Sequence, residues 1–251
     1  ISLSNKKPKI DKNIISIGIS FESQIIALEK FIIKKKRKKT IIMYPNNEYT
    51  SFIDEKLKKL KLKNYRIFKY NSDPRILTGE IENLTNYSKR KRKLEDRKNE
   101  LKKIDDEQAK KELAKLEQKY TLGKVNFDSV IIIDFGNSLK SVLASLVFSD
   151  VDDTEVLYTT INQWFDKSIF YENSVKNLYY PSINLKSFNS HNVKYFNTYN
   201  KQPSEITILA YDALGLIYYI WKKNGSINSI NNFYIKDKIK GKIGTFSFIN
   251  G

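Results

Sequence analysis

FDSVIIIDFGNS, residues Phe127–Ser138, is an apolar run that stops in a small, polar turn where a helix can begin. TIIMYPNNEYT (Thr40–Thr50) repeats the pattern before it and EVLYTTINQW (Glu155–Trp164) after it. Continuous apolar runs, unlike alternating ones, are expected of strands covered on both faces, which predicts a parallel α/β sheet. Ligands bind such sheets just beyond the carboxyl ends of the strands, so the polar residues closing the runs mark the candidate site. They are Asn46, Asn47 and Tyr49 after the first run, Gly136, Asn137 and Ser138 after the second, and Thr159, Thr160 and Asn162 after the third. Hydroxyls and amides at helix N-termini can hold a carboxylate or other anion, because unpaired backbone N–H groups point there. Tyr49 adds an aromatic wall with a hydrogen-bonding tip. The same residue types cap helices, so each also has a purely structural reading.

Outward from these runs, strand and helix alternate as a doubly wound fold requires. Asn13–Gly18 reads as a short strand, and Phe21–Lys36 as a helix with Phe21, Ile25, Leu28 and Ile32 on one stripe. A strand at Ile41–Tyr44, a helix from Tyr49 to Leu60 and a strand at Tyr65–Tyr70 follow. Beyond Val130–Ile133, a helix is expected over Ser138–Phe148, strands at Val156–Thr159 and Leu178–Ile183, and a short helix over His191–Asn200. Glu205–Trp221 is nearly apolar all round, which predicts a buried helix.

Between Pro74 and Tyr120 the pattern becomes long, charged and helix-forming. Tyr87, Leu94 and Leu101 fall seven apart on one stripe, and Asp105 and Asp106 are candidate N-caps for a second helix through Leu113 and Leu116. A helical hairpin at about residues 76–120, standing off the domain, is expected. It is either a solvated crossover that has grown by insertion or a docking arm for a partner protein.

The 251 residues can bury a full core, and the absence of cysteine removes disulfides, thiolate nucleophiles and cysteine metal sites. No stretch is apolar for long enough to span a bilayer, and ISLSNKKPK lacks the apolar centre of a signal peptide. The net charge of +17 invites a nucleic-acid reading. Lysine far outnumbers arginine, however, and the basic residues are spread along nearly every segment, so no nucleic-acid partner is expected. The run KKKRKK (Lys34–Lys39) has the form of a polyanion patch but closes an amphipathic helix, where solvated cations favour the dipole.

Catalytic machinery is hard to assemble from this chain. His191 is the sole histidine and sits in SFNSHNVKYF, a polar stretch that predicts a solvent-facing ring. The acidic group Asp150, Asp152, Asp153 and Glu155 lacks the glycine and spacing of a calcium loop and reads as a polar turn. Asp134-Phe135-Gly136 spells a kinase tripeptide without any other part of that signature. With neither GxGxxG nor a Walker loop, no nucleotide cofactor and no metal are expected.

TIIMYPNNEYT resembles the segment of type I periplasmic binding proteins, the leucine-binding receptor group, in which a strand ends in a polar turn and a Tyr-Gly pair opens the next helix; here the glycine is Thr50. EITILAYDALGLI (Glu205–Ile217) and GKIGTFSFING (Gly241–Gly251) resemble two further landmarks of that group. The charged stretch ahead of FDSV, Arg92–Val130, is similar to the insertion of a branch of envelope lipoproteins that activate penicillin-binding proteins. The resemblance implies an α/β fold of two Rossmann-like lobes with the ligand between them. Residues 38–186 would form the second lobe, while 1–37 and 187–251 would be pieces of an incomplete first lobe. It implies that Tyr49 packs on a ligand and that Gly136 and Asn137 form a second wall without the usual aromatic. Thr160 and Asn162 would stand where receptors place an acid that pairs with an amine, and neither is acidic. The implied role is a non-catalytic cell-wall synthesis accessory whose partner is a cell-wall synthase. The alternative is a solute receptor of an ABC transporter taking an amino-acid-like small molecule. Either would work in the periplasm, with any lipid anchor carried by a segment outside this chain.

Overall fold

The computed structural model describes residues 2–3, 14–163, 168–169, 175–235, 238–242 and 244–246. The expected sequence positions Asn13, Trp164, Ile243 and 247–251 lie outside them. The chain forms two compact units, one of residues 27–180 and one of 1–26 with 181–251.

The larger unit is organised by five parallel strands: β3 (Thr40–Pro45), β4 (Tyr65–Tyr70), β5 (Ser129–Ile132), β6 (Leu157–Thr160) and β7 (Leu178–Tyr179). Their spatial order is β4-β3-β5-β6-β7, the doubly wound arrangement in which the second strand lies outside the first. Register runs Thr40↔Tyr65 on one side of β3 and Thr40↔Ser129 on the other. Every residue of β3, β5 and β6 is buried, as the continuous apolar runs require.

On one face of the sheet, Ile41, Met43, Val130, Ile132 and Tyr158 pack with α3 (Pro74–Thr85) through Leu77 and Ile81 and with α6 (Gly136–Phe148) through Leu139, Val142, Leu143 and Leu146. Strand alternation turns Ile42, Tyr44 and Ile131 to the other face, and they are equally buried. Each of these side chains contributes roughly 1.5–3 kcal/mol by leaving water. The helix α1 (Phe21–Lys34) buries Ile25, Leu28 and Ile32 of its expected stripe, and the division between the units falls within it. The helix α2 (Thr50–Leu57) is shorter than the expected Tyr49–Leu60.

The charged segment resolves into three helices rather than two. The first, α3, is the crossover of the sheet itself, started by Asp73, whose carboxylate accepts the Arg75 N–H at 3.0 Å, and by Pro74 in the first turn. Asn86, left-handed at φ 51°, joins it to α4 (Tyr87–Leu101), which pairs with α5 (Glu107–Glu117). Leu94, Leu101, Ala109 and Leu116 form a small core of their own between these two helices. Asp106 occupies the N-cap of α5 without a side-chain cap bond, and Asp105 instead pairs with Lys110 at 2.6 Å.

Arg90 is the most engaged of the residues that fasten this hairpin to the sheet unit, beside the Thr121 hydroxyl, which donates to Asp150, and Tyr87, which packs on Phe148 at 5.9 Å. Arg90 is 6% exposed, and its guanidinium donates to the carbonyls of Thr85 at 3.1 Å, Asp150 at 3.2 Å and Ser149, and to Thr121 Oγ1 at 3.1 Å. Burial depresses its pKa, which the neighbouring Asp150 carboxylate opposes.

The smaller unit holds α7 (Leu185–Tyr199), α8 (Glu205–Asn224) and two short strand pairs, β1 (Ser2–Leu3) with β2 (Ser16–Ile17) and β8 (Ile239–Lys240) with β9 (Thr245–Phe246). Helix α7 begins at Leu185, six residues before the expected His191, because Asn184 caps it by accepting the Ser187 N–H at 3.2 Å. Helix α8 departs from expectation in its burial. Ile208, Leu209, Leu216 and Ile220 are buried, whereas Tyr211, Leu214, Tyr218 and Trp221 are exposed. An all-round apolar composition states that a helix can be covered on every side and says nothing of which side is covered. The strand β7 is likewise only two residues of the expected Leu178–Ile183.

Candidate functional site

The chain leaves β3 for β4 on one side and returns to β5 on the other, so the strand order reverses between β3 and β5. In open α/β sheets ligands bind in the crevice beyond the carboxyl ends of the strands at such a reversal, which makes this the candidate site. The turn 46–49 borders it from β3 and the turn 134–137 from β5, which brings together two of the three expected groups.

After β3, the Asn46 N–H donates to the Tyr70 carbonyl at 2.8 Å and extends the ladder by one residue. Asn47 then makes a side-chain turn: its Oδ1 accepts the Tyr49 N–H at 2.9 Å while its own N–H donates to Thr50 Oγ1 at 2.9 Å. That turn leaves the Tyr49 ring outside, 55% exposed at the start of α2. Below it, the Tyr44 hydroxyl donates to Asp54, which also pairs with Lys69 at 2.8 Å. The Lys69 bond and then the Tyr44 bond hold the Asp54 carboxyl below the usual carboxylate range.

After β5, Asp134 is 8% exposed and organises the turn. Its carboxylate accepts the Phe135 N–H at 2.8 Å, the Ser138 hydroxyl and the Tyr70 hydroxyl from β4. Burial, with the Asp134 charge beside it, pushes the Tyr70 phenol well above its ordinary pKa. Gly136 follows with φ 56°, a conformation that costs a side-chain-bearing residue about 1–2 kcal/mol. Phe135 supplies no side-chain cap bond to the first-turn N–H groups of α6, and Asn137 in that turn is exposed.

The third expected group lies elsewhere. Thr160 is fully buried and its hydroxyl donates to the Ile132 carbonyl at 2.8 Å; Thr159 does the same to Val130 at 2.7 Å. Asn162 is 1% exposed. These residues belong to the packing beneath the rim, because β6 lies on the far side of β5 from the strand reversal. Gln163 joins them, donating from Nε2 to the Asp134 carbonyl at 2.9 Å. Of the residues the rim depends on, sequence reading missed Tyr70 and the role of Asp134. The available signal was an acid closing an apolar run and a phenol closing the expected strand Tyr65–Tyr70.

Two other sequence features find places. The acids after α6 form a turn: Asp152 accepts the Thr154 N–H, Asp153 accepts the N–H groups of Lys176 and Asn177, and Glu155 pairs with Lys124. Among the described residues no cluster of acids and histidine could hold a metal ion. His191 is half-buried rather than solvent-facing. It lines a groove of about 390 Å³ between α7 and α8, with Tyr195 and Tyr211 at 6.0 and 5.8 Å between ring centroids. Burial lowers its pKa, because Asp212 only partly offsets the loss of water.

No protein-family model matches the sequence, and no curated protein does. Solved structures do match the fold. LivJ of Streptococcus pneumoniae, a branched-chain amino acid transporter substrate-binding protein in complex with isoleucine, superposes with a TM-score of 0.55 at 16% identity, over 93% of this chain and 60% of its own. An ABC transporter substrate-binding protein of Desulfitobacterium hafniense complexed with Leu gives 0.58 at 11% identity, over 94% and 61%. The leucine-binding protein LivK of Thermotoga maritima gives 0.53 at 13%, over 92% and 60%. The fold is that of the type I periplasmic binding proteins, and this chain spans about 60% of the length of the structures it matches.

Proposed function

We propose that this protein is a non-catalytic solute receptor of the type I periplasmic class, binding an amino acid or amide and handing it to an ABC transporter. The observation that carries the reading is the strand reversal between β3 and β5, which sets the turn of the exposed Tyr49 next to the turn of Asn137 and the start of α6 at the carboxyl ends of neighbouring strands. The α6 N–H groups suit a carboxylate and the ring suits an apolar side chain. The solved structures of this fold that hold leucine or isoleucine support the same ligand class. The periplasm is the compartment in which such a receptor works.

A second reading, an accessory of cell-wall synthesis, draws support from Thr160 and Asn162, neither of them acidic, at the positions where the resemblance would place an acid to pair with an amine. The acid of the β5 turn, Asp134, is buried and already accepts three hydrogen bonds, which leaves the exposed Glu48 of the turn after β3 as the acid that could meet an α-ammonium group. The hairpin of α4 and α5 would then be the surface offered to a synthase.

Thermal unfolding against a panel of amino acids, amides and cell-wall fragments separates the two. A ligand at about 100 times its dissociation constant adds roughly 2.7 kcal/mol and moves the midpoint by a few degrees. A shift with one amino acid or amide that disappears in Tyr49→Ala is the expected result. Cooperative melting with no shift from any small molecule would overturn the receptor reading in favour of the accessory.

A further inference from the structure

The parallel sheet gathers a second surface that neither reading of the crevice uses. All five strands run the same way, so every loop that feeds a strand lies along the amino edge, opposite the candidate site. KKKRKK (Lys34–Lys39) leads into β3 and KKLKLK (Lys58–Lys63) into β4. These strands are hydrogen-bonded neighbours, about 4.8 Å apart, and the Thr40 N–H meets the Asn64 carbonyl at 3.4 Å. The fold therefore sets side by side ten basic residues that the sequence keeps apart, with no acid in either run.

The acids of this edge are committed elsewhere than to the two runs' ammonium groups: Glu155, before β6, pairs with Lys124, and the others are directed at backbone. Asp128 accepts the N–H groups of Lys38 and Lys39 at 2.7 and 3.0 Å, and Glu29 accepts the N–H of Lys61 at 2.5 Å. Arg37, the one guanidinium, is half-buried and donates to the Glu155 carbonyl at 2.9 Å. The nine lysines are exposed, and among the described residues none of them forms an ion pair.

From this arrangement we infer that the amino edge of the sheet is a docking surface for an anionic phospholipid membrane. The composition of the surface chooses that partner over a nucleic acid. Base and phosphate recognition draws on arginine forks and aromatic stacking, and here the single arginine is engaged and neither run carries an aromatic. Lysine ammonium groups without further structure suit a plane of anionic headgroups, to which each adds attraction that salt screens. A six-residue strand separates this edge from the crevice by about 20 Å, so a membrane on one does not cover the other. The inference stands whether or not the crevice takes a solute.

The test is co-sedimentation of the chain with vesicles of phosphatidylcholine alone and of an equal mixture with phosphatidylglycerol. Binding is expected to the mixed vesicles only, and to weaken as salt rises. A variant with Lys34, Lys38, Lys59, Lys61 and Lys63 all changed to Gln should lose affinity by about tenfold or more. A variant of equal charge on the hairpin, with Lys89, Lys91, Lys93, Lys102 and Lys103 changed to Gln, should lose much less. If the edge variant melts early, Lys38→Gln with Lys61→Gln is compared in the same way with Lys91→Gln plus Lys102→Gln. Equal loss in both variants would reduce the effect to net charge and overturn the proposal. So would failure to bind the mixed vesicles, or tighter binding to duplex DNA than to those vesicles at the same salt.

Discussion

At the carboxyl edge of the sheet four polar side chains are held: Asn47 by the Tyr49 N–H, Ser138 and Tyr70 by Asp134, and Lys69 by Asp54. At the amino edge the lysines before β3 and β4 have no ionic partner among the described residues. One set of strands thus carries an edge of hydrogen-bonded side chains and an edge of exposed, unpaired charge. The difference teaches what each can recognise. Positioned donors discriminate between small ligands by shape and hydrogen bonding, whereas a field of solvated ammonium groups responds to the charge density of an extended surface.

The largest effect should come from breaking what the two edges share. Ile132 is fully buried in the central strand, and Ile132→Ala should lower stability by about 3–4 kcal/mol in urea unfolding. Both edges should fail together, with ligand shift and vesicle binding lost at the same denaturant concentration; separate losses would show that one edge survives without the sheet. Next is Arg90, the buried exception among the basic residues. Arg90→Met leaves the Ser149 and Asp150 carbonyls without a donor and should cost about 2–3 kcal/mol, while the exposed neighbour Lys91→Met should change stability by less than about 0.5 kcal/mol. Equal effects would mean that the hairpin is not fastened through this guanidinium.

A smaller effect should appear with pH. The Asp54 carboxyl is held below its unfolded pKa by Lys69 and Tyr44, so its contribution is complete above the ordinary carboxylate range. It is lost as the pH falls through the folded value, over a window beginning near about pH 4. The partners are about one-third exposed, so solvent limits the contribution to at most about 1 kcal/mol. Asp54→Asn should flatten that part of the acid limb, and an unchanged limb would show that other carboxylates control it. The smallest effect belongs to the rim itself. Asn47→Ala should cost only about 0.5–1 kcal/mol by removing the side-chain turn, yet should weaken ligand binding through the displaced Tyr49 ring. Calorimetric titration showing unaltered affinity would detach that turn from the site.

Much of this architecture was legible because it follows from local patterns. The three apolar runs became β3, β5 and β6 within a residue or two, and the α1 stripe faces inward at Ile25, Leu28 and Ile32. Two of the three candidate groups lie at the strand reversal because both close runs that flank it. The third could not be excluded from sequence, since Thr159, Thr160 and Asn162 close their run in the same manner. Only the position of β6, on the far side of β5, puts them beneath the rim. The solvent-facing reading of His191 failed for a related reason: Ser190 and Lys194 of its own stretch line the groove with it, but so does Tyr211 of α8, which packs edge-on against the ring and which the local sequence does not announce.

The order of apolar runs and helix-forming stretches determined by itself that this chain would build a parallel α/β unit with a charged helical insertion. Apolar periodicity and chain length suffice for that, because burial of runs of this kind has few solutions. Which segments share an edge was decided only by the tertiary structure. Hydrogen bonding between β3 and β4 brought two lysine runs together, and pairing of β3 with β5 set the turns that carry Tyr49 and Asn137 at neighbouring strand ends. The role of Arg90 was decided in the same way. Within KRKRK it is indistinguishable from its neighbours, and it is singled out only when carbonyls from the turn after α6 converge on it. Side-chain type sets what a residue can bond to, but the partner is supplied by whichever distant segment the sheet order carries to it.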